Sequence, residues 1–89
     1  MTVHLLVSGK VQGVFYRKSA KMEADQLGLV GWIKNRDDGT VEANIGGKED
    51  RLKEFVDWCK KGPPLSKVIY VEETWSDSAG DWKEFEIVS

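Results

Sequence analysis

Two segments with the periodicity of amphipathic helices constrain most strongly what this chain can fold into. One predicts a helix that ends at Gly62, because its apolar residues fall at i, i+3, i+4 and i+7. The other predicts a helix from about Tyr16 to Leu27, followed by Gly28. These apolar stripes comprise Leu52, Phe55, Val56 and Cys59 in one helix, and Tyr16, Ala20, Ala24 and Leu27 in the other. Since each helix has a single stripe, each is expected to bury it against a sheet.

Five runs around the helices have the alternation or the β-branched and aromatic content of strands. They are Thr2–Ser8, Val30–Arg36, Thr40–Ile45, Val68–Trp75 and Phe85–Val88. The second and third flank Asp37-Asp38-Gly39 and predict a hairpin, because Gly39 can adopt a positive φ. In the fourth run, either Ile69 and Val71 or Val68 and Tyr70 face inward, and the pattern leaves both registers open.

The element order is therefore β-α-β-β-α-β with a short terminal strand. Right-handed strand-helix-strand connections would place both helices on the same face of the sheet. We predict an α+β fold, a ferredoxin-like two-layer sandwich whose antiparallel sheet carries two helices on one face. A chain of 89 residues suits a single domain over residues 1–89, because it can bury only one modest core.

The charge and apolar patterns exclude several kinds of partner. The 13 basic and 15 acidic residues give a net charge of −2 with no basic stripe, so no nucleic-acid partner is expected. No apolar run approaches the roughly 20 residues of a membrane helix, and the N-terminal residues do not resemble a signal peptide. A single cysteine, Cys59, cannot form an internal disulfide. A cytoplasmic monomer that does not bind membranes is the resulting expectation.

The stretch SGKVQGVFYRKS, residues 8–19, starts a helix without a conventional cap. No Ser, Thr, Asp or Asn precedes Arg17 in the turn, so the first N–H groups of the helix lack a side-chain acceptor. A bound anion would satisfy them, and the guanidinium of Arg17 would add a fork suited to phosphate oxygens. The candidate phosphate-binding amides are those of Gln12, Gly13, Val14, Phe15 and Tyr16. The alternative is an ordinary glycine turn with Arg17 in solvent.

Two familiar phosphate loops do not fit this stretch. A Walker A loop needs a lysine and a Ser or Thr directly after its second glycine, whereas Gly13 is followed by Val14. A cysteine-phosphatase loop is excluded because Cys59 lies in the middle of a predicted helix. His4, the single histidine, lies within a predicted strand and is interpreted as structural, as is Cys59.

Two motifs together resemble the signatures of the acylphosphatase family: GKVQGVFYR, residues 9–17, and GWIKNRDDGTVEANIGG, residues 31–47. The resemblance extends over the whole chain and implies the same ferredoxin-like fold. It also implies hydrolysis of acyl phosphates to a carboxylate and inorganic phosphate, without a metal or other cofactor and with phosphate as an inhibitor. By motif position, Arg17 would bind the phosphate together with the loop amides, and Asn35 would position the attacking water.

Other interpretations remain open at this point. An Asn before a hairpin often only caps the turn, so Asn35 has a structural alternative. A non-catalytic phosphate- or acyl-phosphate-binding module, such as the related domain of carbamoyl-transferring maturation proteins, is the alternative function. An RNA-binding sandwich of similar topology lacks support, because the chain has no aromatic-basic strand signature.

Overall fold

The computed structural model describes residues 1–88 and contains two helices and five strands. No helix in this range is both long and apolar enough to cross a membrane. The elements in chain order are β1 (Thr2–Lys10), α1 (Tyr16–Gln26), β2 (Val30–Asn35), β3 (Val41–Gly46), α2 (Glu49–Lys61), β4 (Lys67–Ser76) and β5 (Phe85–Ile87).

The five strands form one sheet in the order β4-β1-β3-β2-β5. β1 pairs antiparallel with both β3 and β4, and β2 pairs antiparallel with β3. β5, however, pairs parallel with β2, with Gly31 opposite Phe85. The predicted antiparallel sheet is thus correct for four strands and wrong for β5. The reason is that the chain leaves β4 at one edge, crosses to the other edge, and returns in the direction opposite to β4.

Both helices pack against one face of this sheet and against each other, α1 mainly on β2 and β5 and α2 on β1 and β4. Alternate residues of the central strands point into this layer, so Val3, Leu5 and Val7 of β1 are buried. The stripes of the two helices meet them, and Phe55 of α2 packs edge-on against Phe85 of β5, with ring centroids 5.9 Å apart. The predicted ferredoxin-like sandwich is confirmed.

Neither register predicted for the fourth strand is correct along its whole length. Ser8 lies opposite Tyr70 while Gly9 lies opposite Val68, so Ile69 is an extra residue in a β-bulge. The bulge changes the phase of the alternation, with the result that Val68 and Val71 both pack on the core while Ile69 and Tyr70 are exposed. Gly9 is required here, because a Cβ at this position would lie 2.8 Å from the amide nitrogen of Ile69.

Candidate active site

The loop between β1 and α1 has an unusual backbone that exposes its amides. Gly13 has φ 73° and Phe15 has φ 64°, and Phe15 is the sole non-glycine residue with positive φ in residues 1–88. Val14 between them and Tyr16 after them have negative φ. Alternation of left- and right-handed residues turns successive N–H groups toward one side and forms an anion-binding concavity, called a nest.

The start of α1 has no side-chain cap, as the sequence predicts. The first amide of this region that bonds to a backbone carbonyl is that of Ser19, which donates to Phe15 at 3.0 Å. Within the described residues, the backbone N–H groups of residues 12–18 have no protein acceptor. They are available to a ligand, and the positive end of the helix dipole lies at the same place.

Tyr16, the first residue of α1, fixes the position of this helix start. Its hydroxyl donates a 2.7 Å hydrogen bond to the carbonyl oxygen of Cys59 in α2, and its ring lies 5.5 Å from that of Trp58. Burial raises the pKa of Tyr16 well above its usual range, and burial likewise raises the pKa of Cys59 to about 12. Both groups are therefore neutral at physiological pH and serve packing, which agrees with the structural interpretation of Cys59.

Arg17 and Asn35 line the same cavity, which has a volume of about 300 Å³. The wall is completed by residues of the loop, of the first turn of α1 and of β5. Its full lining comprises Val11, Gly13, Phe15, Tyr16, Arg17, Lys18, Asn35 and Ile87. The structure thus brings the two principal predicted residues together, although they are distant in sequence.

The five loop residues predicted to bind phosphate do not all line this cavity with their side chains. Gly13, Phe15 and Tyr16 belong to the lining, whereas Val14 points its side chain into the core and is 4% exposed. Gln12 directs its side chain toward the β2–β3 turn instead. Their predicted roles concern backbone amides, so these side-chain positions do not conflict with them.

Asn35 faces the cavity because it shares the helix-covered side of β2 with the buried Ile33. Its Oδ1 atom is buried and has no hydrogen-bond partner in residues 1–88. The β2–β3 turn is instead capped by Asp38, whose carboxylate accepts bonds from the backbone N–H of Thr40 at 3.0 Å and from its hydroxyl at 2.6 Å. A buried carbonyl oxygen without a partner is costly, which makes Asn35 Oδ1 a strong site for a donor such as water.

Among residues 1–88, the side chains that line the cavity include cations and no acid. Arg17 forms no ion pair with any described residue, whereas Arg36 on the neighbouring turn lies near the carboxylates of Asp38 and Glu42, at 3.5 Å and 3.4 Å. Lys18 adds a second cation to the lining, which contains no Asp or Glu. This arrangement suits a compact anion with several oxygens.

Sequence reasoning missed the role of the Gln12 side chain. Its Nε2 donates to the carbonyl oxygens of Arg36 at 2.8 Å and of Thr40 at 2.9 Å, which joins the β1–α1 loop to the turn that follows Asn35. The polar residue inside an otherwise apolar and glycine-rich loop was the available signal. Its partners could not be identified, because they are backbone atoms of a different element.

His4 lies on the opposite face of the sheet. Its Nε2 donates to the carboxylate of Glu42 at 2.7 Å, and neither residue lines the cavity. The structural interpretation of His4 agrees with this position.

A sequence model of the acylphosphatase family matches residues 3–87. The chain belongs to the acylphosphatase family. The acylphosphatase of Pelotomaculum thermopropionicum is 44% identical over 84 residues, which cover 94% of this chain and 91% of that protein. The crystal structure of acylphosphatase from Bacillus subtilis superposes with a TM-score of 0.96 at 44% identity, covering 99% of this chain and 98% of that one. The family and the enzyme class predicted from the two motifs are confirmed.

The acylphosphatase fold also occurs within a longer protein. The crystal structure of HypF from T. kodakarensis matches with a TM-score of 0.84 at 31% identity. The match covers 100% of this chain and 12% of HypF.

Proposed function

We propose that this chain hydrolyses the carboxyl-phosphate bond of acyl phosphates, with Arg17 and the amides of residues 12–16 holding the phosphate and Asn35 positioning the attacking water. One observation carries the assignment of roles: Asn35, whose buried Oδ1 has no hydrogen-bond partner in residues 1–88, shares a cavity with Arg17, which forms no ion pair within the same residues. The first group can accept a hydrogen bond from water, and the second can bind the phosphate that this water attacks.

The phosphate is held by charge-assisted hydrogen bonds. Each such bond to Arg17 is worth roughly 1.5–3 kcal/mol net, compared with about 0.3–1 kcal/mol for the helix dipole. The nest of loop amides supplies further donors without a side-chain entropy cost. Arg17 is therefore the main source of affinity, and the amides fix the orientation of the phosphate.

Hydrolysis proceeds by bond exchange at phosphorus. The oxygen of water bonds to phosphorus while the bond from phosphorus to the acyl oxygen breaks, and the electron pair leaves with the carboxylate. A carboxylic acid has a pKa of about 4, so the leaving group needs no general acid. The transition state for phosphoryl transfer is loose, and a fixed set of donors is well suited to stabilise its charge.

The proton released by water passes to an oxygen of the substrate phosphate. The cavity lining contains no carboxylate, imidazole or thiol among residues 1–88 that could act as a general base. Tyr16, which does line it, uses its hydroxyl in the bond to Cys59. Among the described residues that line this cavity none competes with the phosphate for this proton.

A non-catalytic phosphate-binding module is the second candidate, and the match to a small part of HypF is the observation in its favour. Such a module would need Arg17 and the loop amides but not the unpartnered oxygen of Asn35. The two functions differ in turnover. Phosphate would stabilise a binding module against thermal unfolding, but the module would not accelerate the hydrolysis of an acyl phosphate.

The experiment is hydrolysis of benzoyl phosphate by the purified chain, with and without EDTA. Catalysis above the spontaneous rate, unaffected by EDTA and inhibited competitively by inorganic phosphate, is the expected result. A rate equal to that of buffer would leave the binding module as the better assignment.

We also propose that the chain is a monomer, which sedimentation velocity tests. A cytoplasmic location stays a prediction from the sequence.

A further inference from the structure

Phe15 is an aromatic residue in a position that its own chemistry does not favour. Its backbone is left-handed, with φ 64° and ψ 23°, a conformation that glycine adopts far more easily. Its side chain is 68% exposed, so packing in the core does not account for an aromatic ring here. The ring nevertheless lines the cavity that contains Arg17 and Asn35.

Ile87 presents a second apolar side chain to the same cavity. Ile87 follows Phe85 by two residues in β5, so both side chains lie on the same side of the strand. Phe85 is 1% exposed and belongs to the core, whereas Ile87 is 41% exposed and lines the cavity instead. The cavity is thus cationic around Arg17 and apolar where Phe15 and Ile87 are exposed.

This division matches the two ends of an acyl phosphate. We infer that Phe15 and Ile87 form a subsite for the acyl group and that they favour aromatic or bulky apolar acyl groups over acetyl. The inference depends on the proposed function, because it assumes that the phosphate end lies on Arg17. An apolar group that covers two exposed side chains gains affinity in proportion to the apolar area removed from water.

The test compares kcat/KM for benzoyl phosphate and acetyl phosphate in the wild type and in Phe15→Gly and Ile87→Ala. Glycine retains the left-handed backbone of residue 15, so the first variant removes the ring without adding strain. The ratio of the two kcat/KM values is the readout. Comparing this ratio between a variant and the wild type cancels the intrinsic reactivity of each substrate, and it also cancels any change in the loop that affects both substrates equally.

We expect the benzoyl-to-acetyl ratio to fall about five- to tenfold in Phe15→Gly and about threefold in Ile87→Ala. Ile69→Ala is the matched control, because Ile69 is 76% exposed on β4 and lies outside the cavity lining. Its ratio should equal that of the wild type.

A ratio that stays within about twofold of wild type in both cavity variants would overturn the subsite while leaving the hydrolase intact. If the wild type hydrolyses neither substrate above the spontaneous rate, the proposed function itself fails. The two failures are therefore distinguishable.

Discussion

The side-chain nitrogen of Gln12 lies 2.8 Å from the carbonyl oxygen of Arg36 and donates a hydrogen bond to it. Arg36 directly follows Asn35, so this bond joins the β1–α1 loop, which is proposed to bind phosphate, to the strand end that carries Asn35, which is proposed to hold the water. A second bond from the same nitrogen, to Thr40 at 2.9 Å, fixes the amide of Gln12 between both carbonyls that close the turn. We therefore expect Gln12 to act as a positioning residue whose side chain sets the distance between the two halves of the proposed site.

Replacing Gln12 by Met removes both donors with little change in shape and adds no charge. The two carbonyl oxygens keep other partners, because Arg36 accepts from Gly39 at 3.2 Å and Thr40 accepts from Arg36 at 2.8 Å. Stability should therefore change little, while the loop and Asn35 lose their fixed separation. We expect kcat to fall about tenfold, since small displacements of reacting groups are costly. The inhibition constant of phosphate should rise by less than about threefold, because Arg17 is untouched. Equal losses in both quantities would contradict a positioning role.

Removing the guanidinium tests the proposed anion site. Arg17→Gln should lower kcat/KM for benzoyl phosphate by about 10²–10³, the loss typical of a principal oxyanion donor. Arg17→Lys should recover only part of this loss, because an ammonium cannot form the bidentate contact. Arg51→Gln, in an exposed residue of α2 outside the cavity, is the matched control and should behave as wild type. Unchanged activity in Arg17→Gln would remove Arg17 from the site.

The predictability of these features differs for physical reasons. The helices and the central strands could be predicted because their apolar residues repeat with the period of the element, as Leu52, Phe55 and Val56 do in α2. Two features depend on contacts between distant segments and leave no such pattern. They are the bulge at Ile69, which switches the inward face of β4, and the parallel pairing of β5 with β2.

Some features of the candidate site could likewise be predicted from the sequence, and others could not. An uncapped helix start is visible in the sequence because capping depends on local residue types. Two other features are not visible in the sequence, because both depend on how the loop is held. They are the side-chain oxygen of Asn35, which has no partner in residues 1–88, and the left-handed backbone of Phe15. For Asn35, the resemblance to the acylphosphatase family supplied the predicted role, and its buried oxygen without a partner in residues 1–88 is a physical reason to propose it.

Asn35 should affect turnover more than binding. Asn35→Ala removes the acceptor for water but leaves the phosphate donors, so kcat should fall about 10²–10³ with KM changed by less than about threefold. Asn35→Asp retains the shape but places a negative charge beside the phosphate, so this variant should also weaken inhibition by phosphate. Asn44→Ala, on β3, serves as the control because Asn44 lies outside the cavity lining. A rise in KM without a fall in kcat would assign Asn35 to binding instead.

The pair formed by His4 and Glu42 predicts how stability depends on pH. The hydrogen bond from His4 holds the pKa of Glu42 below its usual value, and the cations of Lys34 and Arg36 act in the same direction. A carboxylate with a lowered pKa in the folded state contributes stability above the pKa of the unfolded chain, and loses it as the pH falls through the folded value. Glu42→Gln should therefore have a lower free energy of unfolding than wild type at pH 7, with a difference that shrinks below about pH 4.5 and vanishes in stronger acid. Urea denaturation at pH 7, 5 and 3 measures this difference.

Glu54→Gln is the control, because Glu54 is exposed on α2 and forms no ion pair with the described residues. Its small effect on stability should therefore not depend on pH. A difference for Glu42→Gln that persists unchanged at pH 3 would show that packing, and not the charge of Glu42, stabilises this face of the sheet.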